Sequence, residues 1–115
     1  MTRLTAQQKN TLLANGLKMQ EEDISCSVKP AVKLFLPDGA ATWLLAWIDP
    51  CDQDVAWGLC DLGLGFPELG TVRLSALAEL RGALGLRVER DRYFEANKTL
   101  SDYAEEARKD GYLAA

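Results

Sequence analysis

The sequence predicts an α+β domain in which a mostly antiparallel sheet of about five strands packs against helices, in the order α-β-β-β-β-α-β-α. Helix signals stand near both ends of the chain, and strand-like segments joined by short turns lie between them. Consecutive strands with short connections favour antiparallel hairpins over the crossovers of a parallel sheet. The 115 residues are an ordinary length for a single domain, and we expect residues 1–115 to form one.

The first helix is predicted to begin after Thr5, which can form a capping box with Gln8 three residues later. Gly16 is predicted to close it. Its buried stripe would consist of four leucines, Leu4, Leu12, Leu13 and Leu17. The polar residues 21–26 then predict a loop.

The clearest hairpin of the chain consists of the segments 31–36 and 41–48, which flank a Pro-Asp-Gly turn. Alternation in the second segment assigns one face to three residues, Trp43, Leu45 and Trp47. Its other face would carry Leu44, Ala46 and Ile48, which indicates a strand covered on both faces or a central strand with one face partly covered.

Two further strands are predicted at 55–61 and 71–74, on either side of the glycine-rich loop 63–70. Ser75 is predicted to cap a short helix over 76–81, which Gly82 would close. Residues 86–94 alternate charged and apolar side chains, as an exposed or edge strand does. Thr99, with Asp102 three residues on, is predicted to begin a last helix that runs to about Lys109, before Gly111.

The chain contains no histidine. Because histidine is the usual general base near neutral pH and the commonest metal ligand, its absence excludes Ser-His-Asp and Cys-His catalysis and the usual zinc hydrolase sites. The three cysteines, Cys26, Cys51 and Cys60, are odd in number and form no C-x-x-C pair, so we expect free thiols in a reducing compartment. No signal-peptide core and no membrane-spanning segment is visible, and the predicted location is the cytoplasm.

The glycines at 63, 65 and 70 do not have the spacing of a dinucleotide fingerprint, and no lysine completes a phosphate loop. They favour turns between strands instead. An aromatic platform for a base or a sugar is the alternative for the three tryptophans, Trp43, Trp47 and Trp57, whose positions on predicted strands favour core packing.

The charge pattern is the most informative functional feature. Between Lys33 and Arg73 lie six acidic residues and no basic one, whereas the remaining 11 acidic residues face 13 basic ones. We predict that five of these acids belong to an acidic face that docks on a basic protein partner: Asp49, Asp52, Asp54, Asp61 and Glu68. Solvated turn residues are the alternative, since aspartate is common in turns.

Two other roles for charged residues are disfavoured. The segment 49–54 lacks the glycine and the terminal glutamate of an EF-hand loop, so no metal site is assigned to it. Three arginines at 87, 90 and 92 alternate with acidic residues, and the sequence pI is about 4.8, so direct nucleic-acid binding is not expected.

The chain resembles the small bacterial domain-of-unknown-function family 2958. The resemblance is carried by residues 32–45, by Asp49-Pro50 and above all by residues 57–70 (WGLCDLGLGFPELG), with residues 84–91 and 98–101 resembling the end of the family. It implies a stand-alone bacterial domain that often belongs to the cargo of plasmids or integrative elements. It implies no activity, no catalytic residue and no cofactor.

Two classes of function remain open for such a chain. The first is a protein-interaction module or accessory factor of a mobile element, with a counter-defence role as one form. The second is a small-molecule or divalent-metal-dependent enzyme that uses carboxylates. The absence of histidine favours the first class, and the sequence leaves the oligomeric state open.

Overall fold

The computed structural model describes residues 4–21 and 28–115. The elements are α1 (Ala6–Glu21), β1 (Val32–Phe35), β2 (Thr42–Asp49), β3 (Asp52–Asp61), β4 (Glu68–Arg73), α2 (Leu74–Glu79), β5 (Glu89–Arg90) and α3 (Leu100–Asp110). This confirms the predicted α+β class and the predicted element order. The predicted loop at 21–26 lies outside the described residues, except for Glu21, which belongs to α1.

The five strands form one antiparallel sheet in the order β4-β3-β2-β1-β5. β5 is much shorter than the predicted strand 86–94, because the chain turns on both sides of it. On one side the amide of Gly82 donates to the carbonyl of Leu86 at 2.9 Å. On the other side the amide of Tyr93 donates to the carboxylate of Asp91 at 2.9 Å.

Helices cover both faces of the sheet, which gives two hydrophobic cores. The first core joins the sheet to α1 and α2 and includes Leu12, Leu34, Trp43, Leu45, Ile48 and Leu77. The second joins it to α3 and includes Leu44, Ala46, Leu59, Leu100 and Tyr103. Of the two arrangements expected for β2, the structure therefore shows coverage on both faces.

The start of α1 follows the prediction, but its end does not. The amide of Gln8 donates to the Thr5 hydroxyl, and the amide of Thr5 donates to the Gln8 side chain, each at 3.0 Å. Gly16 lies inside the helix rather than closing it, because α1 crosses β2 so closely that a Cβ there would lie 2.0 Å from the Ile48 carbonyl oxygen. Leu17 is exposed, so it is not part of the buried stripe.

A β-bulge in β2 reverses the predicted alternation. Leu45 pairs with Gly58 and Trp47 pairs with Trp57, so Ala46 is the extra residue. The carbonyl of Ala46 accepts a hydrogen bond from the Asn15 side chain of α1 at 3.0 Å. Beyond the bulge Trp47 therefore faces the second core and Ile48 the first.

The last helix agrees with the sequence prediction at both ends. The Thr99 hydroxyl accepts from the amide of Asp102 at 3.3 Å, and Gly111 ends α3 in the left-handed conformation. No helix in the described part of the chain is long and apolar enough to cross a membrane.

Candidate functional site

Three of the five predicted docking acids lie at the β2–β3 turn. Asp49 accepts a hydrogen bond from the amide of Cys51 at 2.8 Å, and Asp52 accepts one from the amide of Asp54 at 3.2 Å. Such bonds from an aspartate to the backbone two residues on stabilise tight turns. One oxygen of each of these two carboxylates is thus engaged in building the turn.

Asp54 is bonded to the start of α2. Its carboxylate accepts from the Ser75 amide at 2.9 Å and from the Ser75 hydroxyl at 2.6 Å. These hydrogen bonds, with a smaller contribution from the nearby Arg73 guanidinium, hold the pKa of Asp54 below its usual value. Ser75 is therefore not the predicted cap: it lies within α2, and the acceptor comes from the neighbouring strand β3.

Arg73 offsets part of the charge at this turn. Its guanidinium lies 3.4 Å from Asp52 and 3.6 Å from Asp54, and all three side chains are accessible to water. Exposed pairs of this kind contribute little stability, on the order of 0–1 kcal/mol. They do lower the net negative charge that the turn presents.

Asp61 is buried, with 4% of its surface exposed. One carboxylate oxygen accepts from the amide of Gly63 and the other from the amide of Leu113, both at 2.8 Å. Asp61 thereby fastens the β3–β4 loop to the segment that follows α3. A side chain used in this way offers no surface to a partner.

Glu68 lies at the other end of the sheet from the β2–β3 turn. It begins β4 and pairs with Cys60, eight residues along β3 from Asp52, which is roughly 25 Å at the rise of an extended strand. The five acids therefore do not form one surface. Asp49 and Asp52 remain partly available at one end, and Glu68 is exposed at the other.

An apolar surface that the sequence did not predict lies next to Glu68. Leu62, Leu64 and Phe66 in the β3–β4 loop are 58%, 73% and 77% exposed. With Cys60 and Glu68 they line a shallow depression. We call these four exposed residues, Leu62, Leu64, Phe66 and Glu68, the loop surface.

Backbone geometry explains why this loop projects. Gly63 and Gly65 have positive φ angles of 80° and 86°, as expected of glycines that turn the chain between strands. Gly63 also packs against the β1–β2 turn, where a Cβ would lie 2.5 Å from that of Ala40. Tight turns at both glycines leave the side chains between and beside them pointing into solvent.

A second loop, residues 82–86 between α2 and β5, lies at the same end of the sheet. The β1–β2 turn holds it through Asp38, which accepts from the amides of Leu84 at 2.6 Å and Leu86 at 3.2 Å. Leu84 is 82% exposed. The β1–β2 turn therefore contacts both this loop and the one that carries the loop surface.

The tryptophans divide between core and surface. Trp43 is buried in the first core. Trp47 and Trp57 are half-buried and stack on each other at 4.2 Å, with their planes 10° apart. The core packing that the sequence favours is therefore complete for Trp43. Trp47 and Trp57 pack against the second core and remain partly exposed.

The carboxylate-enzyme alternative gains no support from this geometry. Within residues 4–21 and 28–115, no group of three or more cysteine or acidic side chains is placed to hold a metal ion. Cys51 and Cys60 are free thiols, and burial raises the pKa of Cys60. Cys26 lies outside the described residues.

The fold and these surfaces define an α+β domain with a helix-covered five-stranded sheet and an apolar, acidic end. The family model described as "Protein of unknown function (DUF2958)" matches residues 3–114 of the chain, and the chain belongs to that family. No curated protein and no solved structure matches it.

Proposed function

We propose that this protein is a small protein-interaction module that docks on a basic partner through the loop surface. The observation that carries the proposal is the exposure of Leu62, Leu64 and Phe66 in one loop beside the carboxylate of Glu68. Contiguous exposed apolar side chains with a polar rim are typical of protein–protein contact sites. Three large apolar side chains held in water in one loop have no evident structural benefit for the isolated fold.

The chemistry of the loop surface sets the class of partner. Residues 34–72 carry six acidic and no basic residues, so the basic residue nearest to Glu68 in sequence is Arg73, at the far end of β4. A partner that presents lysine or arginine beside apolar side chains would complement both features. Burying each large apolar side chain fully would contribute about 1.5–3 kcal/mol.

Of the five acids predicted to form the docking face, we keep only Glu68 in the proposed docking surface. Asp49 and Asp52 form a separate acidic site at the distant end of the sheet. Asp61 is buried, and Asp54 is engaged with Ser75. Glu68 is exposed and lines the depression together with Leu62, Leu64 and Phe66. It is therefore the acid we assign to the docking surface.

The biological setting comes from the family resemblance rather than from the site. That resemblance supports an accessory factor of a bacterial mobile element. In a counter-defence role the basic partner would be a DNA-binding host protein, whose cationic surface fits the charge of the loop surface.

Capture from a bacterial lysate by matched variants tests this function. Leu64→Ser/Phe66→Ser removes apolar surface, and Leu17→Ser on α1 is the control because Leu17 is also exposed, at 53%, but lies on another element. Circular dichroism and thermal unfolding should show that both variants fold, because the replaced side chains are in water.

We expect a specific protein that wild type and the control retain and the double variant loses. With that protein purified, the double variant should bind at least about tenfold more weakly, which corresponds to about 1.4 kcal/mol. Glu68→Gln should weaken binding at low salt and have little effect at high salt. Equal binding by wild type and the double variant would overturn the proposal.

A further inference from the structure

We infer that the partner contributes an extended segment that pairs with β4 as a sixth strand of the sheet. This inference rests on the proposed function and names its binding mode. β4 is the outermost strand, and its six residues pair with β3 without a register shift. Its first residue, Glu68, belongs to the loop surface.

The hydrogen-bond pattern of the sheet shows which backbone groups of β4 point outward. In an antiparallel sheet, successive residues of a strand bond alternately to the neighbour on one side and the neighbour on the other. The amide of Asp91 donates to the carbonyl of Lys33 at 3.0 Å, so Lys33 bonds toward β5. Leu34 therefore bonds toward β2, to its pair Trp43.

The same alternation of hydrogen-bond direction can be followed from β2 through β3 to the edge strand β4. Since Trp43 bonds to β1, Leu44 bonds to β3, where its pair is Leu59. Gly58 then bonds to β4, where its pair is Gly70. The residues on either side of Gly70 consequently direct their N–H and C=O groups away from the sheet.

These outward residues are Leu69 and Thr71. In the described part of the chain, neither residue takes part in a backbone–backbone hydrogen bond outside the regular helices and strands. Gly70 between them has open space where a Cβ would lie. An incoming strand would thus meet free donors and acceptors at this point.

The middle of β4 carries few of the devices that usually protect a sheet edge. β4 contains no lysine, proline or bulge, and its two charged residues, Glu68 and Arg73, stand at its ends, whereas the opposite edge strand, β5, has only two residues. In strand addition, main-chain hydrogen bonds supply affinity and side-chain pockets supply specificity. The depression lined by Leu62, Leu64 and Phe66, next to the start of β4, provides such a pocket.

Charge complementarity selects the occupant. Glu68 stands at the start of β4, and at the other end Asp52 and Asp54 offset the positive charge of Arg73, so the carboxylate of Glu68 is the charge that β4 presents to a partner. The segment that fits is an extended stretch of a partner protein with apolar side chains and flanking lysine or arginine.

A displayed library of random peptides, selected against the intact protein, tests this binding mode. We expect enrichment of peptides that combine apolar residues with lysine or arginine. Synthetic copies of an enriched peptide, methylated at one backbone nitrogen at a time, should lose at least about tenfold in affinity at alternate positions and little at the positions between them.

The Thr71→Pro variant provides a second test of strand addition, because it removes an outward N–H group of β4. It should abolish peptide binding, and the N-methylated peptides keep the test valid if this variant does not fold. Leu64→Ser/Phe66→Ser should weaken the same peptide.

Failure of this inference is distinguishable from failure of the proposed function. Strand addition would be overturned if no peptide is enriched, or if an enriched peptide binds equally well after N-methylation. Capture from the lysate tests the loop surface independently of these results. A wild-type dimer in sedimentation that Thr71→Pro dissociates would also overturn it, by assigning the edge to a second copy of the chain.

Discussion

The carboxylate of Asp54 binds both polar groups that Ser75 offers at the start of α2, its amide at 2.9 Å and its hydroxyl at 2.6 Å. The N-terminal amides of a helix have no partner within the helix, and the N-cap residue Arg73 supplies no side-chain acceptor here. A strand neighbouring the helix in space therefore provides the cap. This contact removes Asp54 from the docking face and makes it part of the fold.

The first prediction follows from that contact. Because the folded-state pKa of Asp54 lies below its unfolded value, the ionised carboxylate stabilises the fold at neutral pH, and this stabilisation is lost as the pH falls through the folded-state pKa. Asp54→Asn should lower the melting temperature at pH 7, and the difference from wild type should shrink at acid pH, below the ordinary aspartate value of about 3.9. Asp49→Asn is the control, since an asparagine oxygen can still accept from the Cys51 amide. A deficit for Asp54→Asn that did not change with pH would contradict the assignment.

The second prediction concerns the close contact between α1 and β2. Glycine to alanine in a helix interior ordinarily stabilises a protein by about 0.8–1 kcal/mol. Gly16→Ala should instead destabilise it by about 1–3 kcal/mol, because the new methyl group overlaps the Ile48 carbonyl oxygen. Denaturant unfolding measures the difference, with Gly70→Ala as a control in open space. A more stable Gly16→Ala protein would show that α1 does not approach β2 this closely.

The third prediction ranks the tryptophans. Trp43→Ala should cost about 3–5 kcal/mol, because Trp43 is only 2% exposed in the first core. Trp57→Ala should cost less, since Trp57 is half-buried. A double-mutant cycle of Trp47 and Trp57 should give a coupling of about 0.5–1.5 kcal/mol from their stacked rings. Equal costs at Trp43 and Trp57, measured by denaturant unfolding, would contradict this ranking.

The fourth prediction concerns thiol reactivity. Cys51 is exposed, whereas burial raises the pKa of Cys60 and lowers its thiolate fraction at a given pH. In a Cys26→Ser background, a thiol-disulfide reagent at mildly alkaline pH should modify Cys51 first. Cys51→Ser in that background should leave only the slow reaction, which should accelerate as the pH rises toward the raised pKa. A fast reaction in this double variant would mean that Cys60 is more accessible than the structure shows.

Local signals in the sequence predict the N-terminal caps of α1 and α3 but not that of α2, where Ser75 lies inside the helix. The pairs Thr5 with Gln8 and Thr99 with Asp102 are three residues apart, so the sequence contains everything that forms them. The prediction for Gly16 is wrong because a helix-ending glycine and one that permits close packing look alike until the opposing strand is known. The bulge at Ala46 likewise involves a contact distant in the sequence, since the Asn15 side chain of α1 donates to the Ala46 carbonyl.

The candidate site is harder to predict, for the same reason. Acids close in sequence are expected to share a surface, but the length of β3 separates Asp52 from Glu68, and Asp61 binds the amide of Leu113, 52 residues away. The glycines at 63 and 65 correctly indicate turns. Leu64 between them is exposed because none of the helices in the described residues, α1, α2 and α3, covers it, which a local pattern does not reveal.

Hydrogen exchange of the protein, alone and bound to its captured partner, tests the docking claim most directly. We expect binding to slow exchange in residues 62–73, the β3–β4 loop and β4, and to leave the β2–β3 turn at 49–54 unchanged. Slowing confined to that turn, with residues 62–73 unaffected, would contradict the account and return the docking role to Asp49 and Asp52.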